Sequence, residues 1–304
     1  DNTRTLRMRD GWTYKFSSSG GMIEIADNNG NKLTLQRRSD FEGGYLQKII
    51  TQEGREITFN QTYTSGPIFR TDSIVDNTGR TVEYAYEDDP FSSYPRLKQV
   101  TYPDNSTIQY QYDSAGRMSG IVNEKGVLEV FNEYDSNNRV IKQTHSDGGV
   151  YTFNYTTAGG YITETSMTEP NGKITTWRFN NWSYITDVTT PDGITTYERE
   201  PGTNQILSVT DPLSRIMTYN YDAKGRVTAK TDNAGNITRY EYEDIFSKVT
   251  KITDAMTHIT TMTYDSKGNM LTTTNPDNKT TTFTYNTMGK PLTVKDALNH
   301  TSTM

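Results

Sequence analysis

Along this chain, apolar and aromatic residues alternate with Thr, Asn, Gln and charged residues in short runs, and each run closes on a cluster of Asp, Asn and Gly. The clearest copy is Tyr219-Asn220-Tyr221 followed by Asp222-Ala223-Lys224-Gly225-Arg226. Two aromatics two positions apart lie on one face of an extended strand, because side chains alternate with period two. An acid followed by two small or polar residues and then Gly is turn chemistry: the acid caps its own backbone and Gly accepts positive φ. The octapeptide therefore predicts the end of one strand, a tight turn and the start of the next. Near-copies carry Tyr110, Tyr112, Asp113, Gly116 and Arg117, and then Tyr264, Asp265 and Gly268; a weaker one carries Phe283, Tyr285 and Gly289. Tyr134-Asp135 with Arg139, Tyr155, and Tyr240 with Tyr242 mark further copies.

From residue 101 to 304 the beat is regular. The last aromatic of each unit falls at Tyr112, Tyr134, Tyr155, Phe179, Tyr197, Tyr221, Tyr242, Tyr264 and Tyr285, in steps of 22, 21, 24, 18, 24, 21, 22 and 21. A second turn cluster lies midway in each unit, as at Asp147-Gly148, Asn171-Gly172, Asp192-Gly193, Asp232–Asn236 and Asp277-Asn278. Two turns per unit leave strands of about six to eight residues, an ordinary strand length. Residues 1–100 hold degenerate copies, with an acidic, proline-bearing insertion at 87–95 that excludes a central strand and reads as a protruding loop. Turn residues recur about every ten positions and no sustained i, i+3, i+4, i+7 apolar spacing exists, which excludes long helices. The expectation is an all-β chain: an antiparallel meander of repeated hairpins in one continuous array.

Composition sets the thickness of that array. The set AVILMFWYC makes up 32% of 304 residues, mean hydropathy is −0.80, and aromatics reach 11%. So little apolar mass cannot fill a thick two-layer core, yet the aromatic and β-branched content is too high for disorder. A sheet one layer deep, wet on much of both faces, reconciles the two. The net charge of −6 is spread without a basic stripe, which argues against nucleic acid as a partner. There is no Cys, hence no disulfide and no thiolate site. No apolar run approaches the ~20 residues of a membrane helix, so no membrane span is expected. The chain opens in mid-pattern at Asp1-Asn2-Thr3-Arg4 without a signal peptide and reads as a piece of something longer.

Candidate chemistry is sparse. His145-Ser146-Asp147 has the residue types of a hydrolase triad, but adjacent positions cannot converge on one another; turn residues are the reading. His258 and His300 occupy a slot filled by Asn or Gly elsewhere and read as turn-exit residues. Asp27–Asn31 and Asp232–Asn236 resemble calcium loops in composition, yet position 6 of an EF-hand loop falls on Lys32 and Ile237 instead of Gly. Hairpin turns are again the reading, with calcium held in such a turn as the alternative. Asp113 with Arg117, and Asp222 with Arg226, are expected as ion pairs along one rim, each worth well under a kilocalorie. The tyrosine rows are expected as cross-strand aromatic ladders; a stacked-tyrosine platform for glycans is the minority alternative. Asn-x-Ser/Thr triplets follow from Asn/Thr-rich repeats. No catalytic, cofactor-binding or metal residue stands out.

The unit aromatic-x-Tyr-Asp-x-x-Gly-Arg, followed some ten residues on by Asp or Asn-x-x-Gly-Asn, resembles the YD repeat of the Rhs (rearrangement hotspot) family. Tyr219 to Asn236 is the best match, and Tyr110 to Gly126 and Tyr264 to Asn278 follow. That family includes bacterial polymorphic toxins, the shell subunits of insecticidal toxin complexes and animal teneurins. The resemblance implies a β-hairpin strip that coils as a spiral into a hollow shell around a polypeptide cargo, often a toxin, in a secreted or surface-displayed bacterial protein. The terminal core segment with self-cleaving aspartates is absent; Asp211-Pro212-Leu213-Ser214 shares three letters with such a motif but sits in mid-array. The function expected is a non-enzymatic wall segment that encloses or displays another polypeptide, with further repeats and a cargo as partners and no cofactor. The alternatives are an extracellular filament or tube of copies, and a glycan-binding surface module.

Overall fold

The structure, a computed structural model, describes residues 2–38, 45–63 and 69–304. Among these residues there are 28 strands, from Arg4–Arg7 to Thr301–Thr303, and no helix. Each strand pairs antiparallel with the strand before it and the strand after it, so the chain is one uninterrupted sheet. Most strands have five or six residues. That is shorter than the sequence spacing suggests, because most turns take five residues out of the ladder. The insertion is a loop from Asp88 to Pro95, between strands Thr81–Glu87 and Arg96–Thr101.

The turn chemistry explains the meander. In Asp222–Arg226 the Asp222 amide donates to the Arg226 carbonyl at 2.9 Å, and the Gly225 amide to the Asp222 carbonyl at 2.9 Å. Gly225 has φ +77, the left-handed conformation that a three-residue hairpin loop needs at this point and that Gly adopts without strain. The Asp222 carboxylate accepts from the Lys224 and Arg226 amides at 2.9 and 3.0 Å, locking the corner. One residue beyond, the pairing slips at Asn220/Tyr221, so two residues of the following strand oppose one. Such bulges sharpen the local twist, and they recur after nearly every second strand.

The wall is a single layer. Among the described residues its buried apolar side chains are Ala26, Leu35, Val100 and Phe246, and none falls below 2% exposure. The accessible surface is 19075 Å², against roughly 12,900 Å² for a compact protein of this mass by the usual area scaling. An excess of that size is what a thin, open wall produces.

Turns after odd-numbered strands form one rim, here called upper, and turns after even-numbered strands form the lower rim. The upper-rim turn Met8–Trp12, after the first strand, meets the lower-rim turns after the twentieth and twenty-second strands: Arg9 donates to the Lys224 carbonyl, and Gly11 sits on Phe246. The upper-rim turn Asp27–Asn31, after the third strand, meets the turns after the twenty-fourth and twenty-sixth. Top edge thus lies on bottom edge, and the strip is a coil that returns to itself after about 21 strands. At the ~4.8 Å spacing of paired strands, that revolution has a contour of roughly 100 Å and a diameter of about 32 Å.

Candidate functional site

The lower rim carries a repeated lock. Asp222 Oδ2 accepts from Arg226 Nε at 2.7 Å, and Arg226 Nη1 donates to the Glu243 carbonyl at 3.0 Å. The same guanidinium lies 4.8 Å from the centroid of Tyr242, and Tyr242 Oη donates back to the Val227 carbonyl at 2.7 Å. The need for the tyrosine is local: the ladder between this strand pair stops at Ala229 opposite Arg239, so it does not extend to the Val227 carbonyl. Asp, Arg and the next unit's Tyr therefore tie successive repeats together along the rim. Asp113, Arg117 and Tyr134 repeat it with a 4.6 Å stack and a 2.5 Å bond to the Met118 carbonyl; Asp135, Arg139 and Tyr155 do so with 4.7 and 2.8 Å. Tyr112, Tyr221 and Tyr264 bond the Leu97, Ile206 and Val249 carbonyls in the same way.

The charge states follow the geometry. Hydrogen bonds from the Arg226 amide, then from its guanidinium, hold the Asp222 carboxyl below the usual range against partial burial; in Asp113 the Arg117 side chain leads. Burial pushes the Tyr112, Tyr221, Tyr242, Tyr264 and Tyr285 hydroxyls up.

Two sequence expectations need correction. Tyr110, Tyr219 and Tyr240 stand cross-strand from Ile121, Lys230 and Ile252, not from other aromatics, because aromatic strands alternate with aliphatic or charged ones. The rings are thus met by arginines and aliphatic neighbours. The beat at Tyr197 belongs to Arg199: it stands at the bulge opposite Ile206 and its Nε donates to the Ile185 carbonyl at 2.8 Å, the bond a tyrosine makes elsewhere. With Arg199 in the slot the steps of 24, 18 and 24 become 24, 20 and 22. Arg37 fills the same slot, bonding the Met22 carbonyl at 2.7 Å. A guanidinium and a phenol share one requirement there, a donor at the end of a long arm.

The weighed alternatives fall into turns. His145 stacks against Tyr151 at 5.1 Å and contacts Gln143, while Asp147 caps the Gly149 amide. His258 and His300 bond Asp254 and Asp296 at 3.0 and 2.9 Å, in the place Arg215 takes beside Asp211. The Asp27 oxygens accept from the Asn29 and Asn31 amides and the Asn31 side chain. Among the described residues no cluster of His, Cys, Asp and Glu is arranged to hold a metal, and no helix is long and apolar enough to cross a membrane.

Sequence reasoning missed the seam between the rims. Asn29 and Asn269 exchange reciprocal amide bonds of 3.2 and 2.8 Å, and Asn31 donates to the Met288 carbonyl at 2.9 Å. Asn269 stands in the place that Arg117, Arg139 and Arg226 take in their lower-rim turns, and Asn29 lies against Gly289. Phe246 is only 6% exposed, with Arg7 5.8 Å from its centroid. A Cβ on Gly11 would come within 2.7 Å of its ring, and one on Gly268 within 2.9 Å. The signal was present in Glu243–Lys248, one residue longer than the common five-residue turn and bearing Phe at its fourth position.

The RHS Repeat family model matches residues 96–128, 201–237, 221–255, 247–280 and 264–301. Residues 96–128 and 201–301 thus match RHS repeats. Among curated proteins, none matches it. The RHS-repeat strip is similar to the crystal structures of TcdB2-TccC3 and of TcdB2-TccC3-TEV, each with a TM-score of 0.55, 14% identity and 95% of this chain covered. TcdB2-TccC3 without its hypervariable C-terminal region matches with a TM-score of 0.50, 14% identity and 97% coverage. At such identity the likeness concerns the fold. The strip spans 17% to 19% of the length of those chains.

Proposed function

We propose that this RHS-repeat strip is a non-enzymatic wall segment of a β-shell that encloses or displays another polypeptide, in a protein secreted or surface-displayed by a bacterium. The observation that carries it is the seam: the upper-rim turns of the first two hairpins meet lower-rim turns some twenty strands further on, so the wall rolls up around a space. Taking half of the ~10 Å sheet-packing distance from each side leaves a lumen of roughly 20 Å. An extended chain or a helix of about 10–12 Å fits that bore. A folded domain of a hundred residues, with a radius of gyration of about 13 Å, does not. The cargo expected is therefore an unfolded or helical segment. The structures described as TcdB2-TccC3-TEV and TcdB2-TccC3-Cdc42 support the reading, since their descriptions add a further polypeptide to proteins of this wall fold.

The test is protease challenge of the particle isolated with its cargo. A sheltered polypeptide survives protease levels that destroy it once the wall is unfolded by denaturant. Equal cleavage before and after unfolding refutes enclosure. The second reading, a filament or tube of copies, is favoured by apolar side chains on the turn tips. Among the described residues, every non-terminal large hydrophobic residue more than 60% exposed sits on a rim: Phe91, Trp182, Leu213, Ile245, Met256 and Leu298.

A further inference from the structure

The lower rim holds two phenylalanines in matching surroundings, one covered and one bare. Phe246 lies in the turn after the twenty-second strand, and its amide is held by the Glu243 carboxylate at 2.8 Å. Its ring lies on the next lower-rim turn, where a Cβ on Gly268 would be 2.9 Å from Cδ2. Phe91 lies in the loop after the eighth strand, and its amide is held by the Asp89 carboxylate at 2.9 Å. Its ring lies on the next lower-rim turn, where a Cβ on Gly116 would also be 2.9 Å from Cδ2. Gly268 and Gly116 are each the fourth residue of a five-residue turn. The two differ in what covers the other face. Gly11 of an upper-rim turn and Arg7 reduce Phe246 to 6% exposure, whereas Phe91 is 63% exposed, with Tyr94 beside it at 52%.

We propose that Phe91 is a second seam plug, and that its occupant is an upper-rim turn of a second copy of this chain. The chain shows what such an occupant looks like: Gly11, fourth in the turn Met8–Trp12, brings bare backbone onto the Phe246 ring. Upper-rim turns with glycine in that fourth place and open space around it are present at Gly126, Gly148, Gly172 and Gly235. The upper rim also offers apolar tips to a partner, with Leu213, Met256 and Leu298 at 74%, 71% and 73% exposure. Upper rim on lower rim is a heterologous contact, which propagates copy to copy instead of closing as a two-fold dimer. The inference rests on the seam geometry and not on the presence of a cargo.

The experiment is sedimentation velocity of the 304-residue chain across a concentration series, beside Phe91→Ala and Phe246→Ala. Concentration-dependent association is expected for the parent chain, weakened about tenfold or more in Phe91→Ala, as for a buried aromatic anchor at an interface. Because no upper-rim turn among the described residues covers Phe91, Phe91→Ala should keep the parent's circular dichroism and melting midpoint. Phe246→Ala should lower the midpoint and leave the Phe91 contact in place. A parent chain that stays monomeric throughout overturns the proposal, and so does association of equal strength in Phe91→Ala. Assembly would be refuted by these outcomes while enclosure would stand, since enclosure is read from protease protection.

Discussion

Replacing Tyr242 by Phe removes one atom from the lower-rim lock and leaves the rest in place. The lost bond is the 2.7 Å donation from Tyr242 Oη to the Val227 carbonyl, and the ladder does not extend to that carbonyl. A hydrogen bond of this kind contributes about 1 kcal/mol net; a buried, orphaned carbonyl would cost up to about 3 kcal/mol, but water reaching the rim keeps the expected loss near the lower figure. The ring and the Arg226 guanidinium at 4.8 Å remain, so the stacking contribution of about 0.5–1 kcal/mol survives in Tyr242→Phe and is lost in Tyr242→Leu. Expected losses are therefore about 1 kcal/mol for Phe and roughly 2 kcal/mol for Leu. Tyr219 provides the control: it lies in the same strand as Tyr221 and makes no side-chain hydrogen bond among the described residues, so Tyr219→Phe should be near neutral. Urea unfolding followed by circular dichroism gives the three values, and hydrogen exchange should show the loss concentrated in strands Val227–Thr231 and Ile237–Tyr242, since array stability sums over neighbouring units. Equal stability of Tyr242→Phe and Tyr219→Phe would refute the lock, as would protection lost evenly along the sheet.

Other substitutions probe the seam and the charge states. Gly11→Ala places a Cβ 2.2 Å from Asn28 Oδ1 at φ +94, so it should cost about 1–3 kcal/mol and release the exchange protection of residues 8–12 and 27–31. Arg226→Lys should lose the two-handed grip on Asp222 and the Glu243 carbonyl, costing about 1 kcal/mol by urea titration; parity with the parent would show that a point charge suffices. The aspartates Asp113, Asp135, Asp211, Asp222 and Asp232 have depressed folded values, so they stabilise above the unfolded value of about 4, and that contribution is lost as pH falls through the lower folded values. The tyrosines have raised values, so their contribution is present below about pH 10 and lost as pH rises through the folded values, where a phenolate can no longer donate to a carbonyl. Melting midpoints should form a plateau between these limits, and a profile that keeps rising outside them contradicts the assignment.

What the sequence made legible was local, and what it hid was distant. Asp222-x-x-Gly225-Arg226 specifies its own corner through bonds spanning four residues, so strands, turns and the Asp–Arg pair could be read from spacing. The Tyr242 bond to Val227 spans 15 residues and depends on a bulge that no single residue announces; the tyrosines were legible as a periodic row but not as donors. Arg199 and Arg37 were hidden for the same reason, since composition distinguishes Arg from Tyr while the slot asks only for a long-armed donor. The seam lies at separations above 200 residues, where Asn29 meets Asn269 and Arg9 meets Lys224. No periodicity in the units fixes that pairing, because it depends on the small rotation each strand adds to the last, summed over a full revolution. An error of one strand in that sum would set Gly11 beside another turn and leave Phe246 bare. The six-residue turn that carries Phe246 therefore acts as a register mark, giving one rim position an apolar plug and its counterpart a glycine to receive it, so that the coil closes at that strand count and not at its neighbours.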